Sequence, residues 1–106
     1  MKIKRQEHGK QGAFFIEEDG EWVAEMTYSR EGLRKIVIDH TAVSKTLKGK
    51  GIGRALVDEV THLARLRGLA VTVIAGPAAR SFYERCGFSV EGEAQTRFGP
   101  AFRMSR

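Results

Sequence analysis

Apolar and polar residues alternate through the first forty positions, and the period then changes to that of a helix. Ala13–Glu18, AFFIEE, reads as a strand, and Asp19-Gly20 after it is a two-residue hairpin signal. Glu21–Ser29 resumes the alternation, with Trp22, Ala24, Met26 and Tyr28 on one face and Glu25, Thr27 and Ser29 on the other. Arg30-Glu31-Gly32 reads as a second turn. Lys35–Val43 is then the third strand of an antiparallel meander, with Ile36 and Ile38 on one face and Val37 on the other. Lys2–Arg5 is expected to be a short edge strand.

From Ile52 the spacing is helical: Ile52, Leu56, Val60, Leu63 and Ala64 form one stripe, and Asp58, Glu59, Arg65 and Arg67 fall mainly outside it. Gly68 is a stop signal. Ala70–Ile74, AVTVI, is a buried strand expected to run parallel to Lys35–Val43, which completes a right-handed β-α-β unit. Gly76-Pro77 breaks the chain, with Pro77 suited to open the next helix. Ala78–Cys86 reads as that helix, carrying Phe82 and Cys86 four apart and stopped by Gly87. Phe88–Glu91 and Ala101–Met104 are the expected closing strands, separated by a polar loop containing Gly99-Pro100. The pattern predicts one α+β domain over residues 1–106: a mixed, mostly antiparallel sheet with a central β-α-β unit.

Composition narrows the classes. With 42% hydrophobic and 29% charged residues, the chain is ordinary for a globular domain. No apolar run reaches the length of a membrane span, and MKIKRQEHGK has no apolar stretch of the signal-peptide kind. A single cysteine, Cys86, excludes an internal disulfide and suits a reducing compartment, so a cytoplasmic location is expected. The three histidines, His8, His40 and His62, are too dispersed for a metal site, and none is expected. Eighteen basic against 13 acidic residues leave a net charge of +5, which suits an anionic partner without naming it.

The stretch Val43–Val57, VSKTLKGKGIGRALV, gives that charge a focus. Gly49, Gly51 and Gly53 stand at alternate positions between a strand and a helix start, flanked by Lys48, Lys50 and Arg54. Such a turn presents bare backbone N–H groups and the helix dipole to an anion, although the same glycines could serve only the turn. The spacing is neither that of a dinucleotide fingerprint nor that of a P-loop.

Two motifs carry a resemblance. Lys48-x-x-Gly51-x-Gly53 resembles the [R/Q]-x-x-G-x-[G/A] acetyl-CoA motif of the GCN5-related N-acetyltransferases, with Lys48 in place of the usual Arg or Gln. Downstream, Ala79–Phe88, ARSFYERCGF, resembles that family's AxxFYExxGF helix and turn. The head of the chain is similar to the very small members that lack the usual first helices. Those carry a Cys-Pro pair after the fifth strand. Gly76-Pro77 stands there instead, so no cysteine-based mechanism is implied.

The resemblance implies the acyl-CoA N-acyltransferase fold in a short version, and transfer of an acetyl group from acetyl-CoA to a primary amine. The acceptor would be a peptide or protein lysine or N-terminus, or a small amine. It further implies that Thr41, Ala42 and Val43 pair with the pantetheine arm, and that Lys48, Gly49, Lys50, Gly51, Ile52, Gly53 and Arg54 hold the pyrophosphate. Gly76, where many members have a cofactor-contacting Asn, and Ala79 and Phe82 would border the cofactor. Tyr83 would protonate the leaving thiolate. His40 and Glu25 are the candidate bases, His40 by its suitable pKa range and Glu25 by its strand. Two other readings stay open: an acyl-CoA-binding regulatory module without turnover, and a small basic nucleic-acid binder, for which exposed aromatic pairs and a recognition helix are lacking. So short a chain could also complete its site as a homodimer.

Overall fold

The computed structural model describes residues 2–106. Its strands are β1 (Lys4–His8), β2 (Gln11–Glu18), β3 (Glu21–Glu31), β4 (Lys35–Val43), β5 (Ala70–Ala75), β6 (Ser89–Thr96) and β7 (Gly99–Ser105). Helix α1 spans Ile52–Leu66 and α2 spans Pro77–Arg85. One seven-stranded sheet runs β1-β2-β3-β4-β5-β7-β6; β4 and β5 are parallel and the other neighbours antiparallel. This is the expected mixed sheet around a β-α-β unit.

Helix α1 forms because its apolar stripe has a sheet face to cover. Leu56, Val57 and Val60 are fully buried, with Ile52, Leu63 and Ala64 beside them. Each such side chain contributes about 1.5–3 kcal/mol on leaving water. Opposite them lie Ala24, Met26, Ile36, Ile38, Val71 and Val73 in one continuous core, which Tyr83 of α2 also joins. The other sheet face carries no helix. None of the helices is long and apolar enough to cross a membrane.

Four expectations need correction. The edge strand is Lys4–His8 rather than Lys2–Arg5. The second turn falls at Gly32–Arg34, because β3 stays paired through Glu31. Trp22 does not share a face with Ala24, Met26 and Tyr28. A bulge lets Glu17 pair with Trp22 while Ile16 pairs with Ala24, so Val23 is extra and Trp22 turns to the helix-free face. There it stacks on Phe15 at 4.0 Å between centroids.

Gly99-Pro100 is not in a loop. It begins β7, and the hairpin turns more tightly at Arg97-Phe98, where the Thr96 hydroxyl donates to the Gly99 carbonyl. Pro100 is tolerated because β5 pairs with β7 only from Phe102 onward, so the missing N–H faces no β5 carbonyl.

The N-terminal hairpin is tied to the end of α1 by a polar cluster. The Tyr28 ring lies over Gly12, where a Cβ would meet its Cζ at 2.4 Å, and its hydroxyl donates to Glu7 at 2.7 Å. Arg67 then donates twice to the Glu7 carboxylate, at 2.9 Å each. These bonds, with Arg67 foremost, lower the Glu7 pKa to about 2.

Candidate active site

The central cleft follows from a second bulge. Strands β4 and β5 pair only over Lys35–Ile38 and Ala70–Val73. On the β3 side Thr27 pairs with His40 and Tyr28 with Ile38, which leaves Asp39 extra. Past this point β4 leaves β5, and the backbone of His40–Val43 has no strand partner on that side. The opening is a cavity of about 200 Å³ bordered by Asp39, His40, Thr41, Ile74, Gly76, Ala79 and Tyr83. An unpaired strand edge of this kind can hydrogen-bond an extended chain of amides.

A larger cavity, of about 580 Å³, continues along the start of α1. Val43, Lys48, Gly49, Gly51, Ile52, Gly53 and Arg54 form one wall; Phe82, Arg85 and Cys86 form the other. Gly49 and Gly51 have φ of 79° and 75°, in the left-handed region where a side chain would be strained. Gly51 caps α1, no side chain bonds its first turn, and no acidic residue stands there. The free N–H groups are therefore open to an external anion. A Cβ at Gly53 would meet the Phe82 ring at 3.3 Å, so glycine sets how closely α1 and α2 approach.

These features fit coenzyme A. A glycine-lined helix N-terminus with Lys48, Arg54 and Arg85 around it suits a pyrophosphate, and the free edge of β4 suits a pantetheine arm.

Tyr83 lines the cleft. It is buried, with edge-on contacts to Phe82 and Phe88 at 5.0 and 5.3 Å between centroids. Burial raises its pKa, and the Thr41 hydroxyl beside it opposes the rise. The phenol thus stays protonated at neutral pH and can donate. Burial also raises the Cys86 thiol, against the pull of Arg54, so Cys86 packs as a neutral apolar group.

Of the residues singled out from sequence, Thr41, Gly76, Ala79, Tyr83 and His40 meet at the cleft. Val43, Lys48, Gly49, Gly51, Ile52, Gly53, Arg54 and Phe82 meet at the larger cavity. Lys50, Ala42 and Glu25 border neither cavity; Ala42 and Glu25 pair with each other across β3 and β4. Leu47, Arg85, Cys86 and Asp39 were missed as lining residues. The ExxGF spacing of Glu84–Phe88, which contains Arg85, was legible as a helix end, but the aim of Arg85 into the cavity depends on how α2 docks. Asp39, bonded by the Ser29 hydroxyl, reaches the cleft only through the bulge.

Known proteins share this fold. A family model described as GCN5-related N-acetyl-transferase matches residues 13–86. The 5-NmdU N-acetyltransferase of Pseudomonas phage PaMx11 is 35% identical over 68 residues, covering 61% of this chain and 49% of the phage protein. The chain thus spans about half the length of that curated relative. The crystal structure of nourseothricin acetyltransferase superposes with a TM-score of 0.76 at 25% identity, over 91% of this chain and 64% of the other. An acetyltransferase from Elizabethkingia anophelis with acetyl-CoA bound shares the fold, with a TM-score of 0.80 at 13% identity over 91% and 75% of the two chains. The matched segment runs from β2 to the end of α2 and so takes in the bulged β4, the glycine cradle and Tyr83. With its family's fold built around that cleft, the chain belongs to the GCN5-related N-acetyltransferases.

Proposed function

We propose that the protein transfers an acetyl group from acetyl-CoA to a primary amine by direct attack within a ternary complex. The observation that carries this reading is the position of Tyr83. A buried, protonated phenol lines the cleft beside the free edge of β4, and its neighbour Phe82 borders the glycine cradle. The acceptor is a peptide or protein lysine or N-terminus, or a small amine.

In this reading the β4 edge at Thr41–Val43 aligns the pantetheine arm, and the first turn of α1 with Lys48, Arg54 and Arg85 fixes the phosphates. Acetyl-CoA supplies an activated thioester. The amine nitrogen forms the new C–N bond as the C–S bond breaks. The amine proton departs through His40 or water at the exposed mouth. Tyr83 passes its phenol proton to the leaving sulfur and recovers one from solvent. The protein's contribution is mainly orientation and proton management.

Free-CoA release across a panel of amines and peptides tests this. Amine-dependent release is the expected result. If acetyl-CoA binds and no member of a broad panel is acetylated, the protein is a binding module and the reading fails.

A further inference from the structure

A second large cavity, of about 610 Å³, lies on the helix-free face of the sheet. Gln6, His8, Gln11, Trp22, Thr27 and Asp39 are among its walls. Asp39 also borders the Tyr83 cleft, so the two cavities share this residue. We propose that this trough is the acceptor site, and that it takes a primary amine bearing a flat aromatic group at its far end. The proposal rests on the acetyl-transfer reading above.

The ends of the trough set the class. At the cleft end, Asp39 accepts from Ser29 and, among the described residues, has no cationic partner, although the chain carries a net charge of +5. An ammonium group complements it. At the other end, one face of the Trp22 indole is covered by Phe15 at an interplanar angle of 11°. The residue is 38% exposed, and its free side can stack a ring.

Trp22 and Thr27 are five positions apart on β3, roughly 16 Å at ~3.3 Å per residue. Both residues line the trough, so a flexible alkyl chain must join the nitrogen at Asp39 to a ring at Trp22. A peptide is less well served. Strands β2 and β3 are paired on both sides beneath the trough, so its floor offers no free backbone edge to an extended chain. A phosphate-bearing acceptor would meet the Asp39 carboxylate.

Trp22 is the single tryptophan of the chain, so its emission reports the trough directly. Titration with phenylhexylamine, hexylamine or ethylamine is followed by indole fluorescence and, in parallel, by CoA release. The expected result is a saturable blue shift with phenylhexylamine alone. Trp22→Ala should raise its KM roughly tenfold while changing that of hexylamine less than about twofold, since only the ring loses its partner. Asp39→Asn should weaken all three amines by a similar factor.

No saturable emission change, or equal effects of Trp22→Ala on phenylhexylamine and hexylamine, overturns the proposal. So does a lysine peptide that is preferred and indifferent to Trp22→Ala. A saturable shift without CoA release would instead sink acetyl transfer while leaving the amine site standing.

Discussion

Replacing Tyr83 by Phe removes one oxygen and little else. The ring is held edge-on by Phe82 and Phe88 at 5.0 and 5.3 Å, and phenylalanine keeps both contacts. The lost hydroxyl has Thr41 as its neighbour, so the stability change should stay within about 1 kcal/mol. Catalysis should respond differently. A positioned general acid contributes typically about 10²–10⁴-fold, so the variant should lose roughly 3–5 kcal/mol of transition-state stabilisation. Steady-state CoA release at saturating substrates measures kcat, and calorimetric titration measures the acetyl-CoA Kd. The expected result is a kcat down by about a hundredfold or more with Kd unchanged.

The pH profile adds a check. A raised phenol pKa keeps the donor form in place below the ordinary value of 10, so the parent should show no alkaline loss from Tyr83 before that pH. A variant with kcat close to the parent, or one that loses cofactor binding instead of rate, would refute the role.

Three further outcomes follow from the packing. Glu7 has a folded pKa of about 2 against an ordinary 4.5, so its stabilisation is present above 4.5 and is lost as pH falls toward 2. With side chains 26% and 35% exposed, the Glu7–Arg67 pair is screened, and Glu7→Gln should cost about 1–2 kcal/mol at pH 7 and flatten the acid limb of Tm against pH. Gly12→Ala should force the Tyr28 ring off Glu7 and cost about 1–3 kcal/mol in denaturant melts; an unchanged midpoint would contradict the close approach. Arg85→Ala should weaken acetyl-CoA several-fold and reduce the salt dependence of its Kd without lowering kcat, as titrations at two ionic strengths would show.

Legibility in the sequence tracked periodicity. The α1 stripe was readable because every residue named on it is buried against the sheet. The glycine cradle and the Tyr83 helix were readable from motif spacing. What was not readable depends on inserted residues and on neighbours. A bulge adds one residue to a strand without altering its composition, so the turning of Trp22 and the arrival of Asp39 at the cleft left no trace in the alternation. Pro100 reads as a breaker until β5 is known to end before reaching it. Glu25, a reasonable base on strand position, alternates onto the helix-free face and borders neither cofactor cavity.

The most direct test of the central claim, that the cleft and cradle hold acetyl-CoA, is thermal unfolding with and without that molecule. At one hundred times Kd the ligand should stabilise the fold by about 2.7 kcal/mol, which for a domain of this size raises Tm by roughly 10 °C or more. No rise at saturating acetyl-CoA would contradict the account.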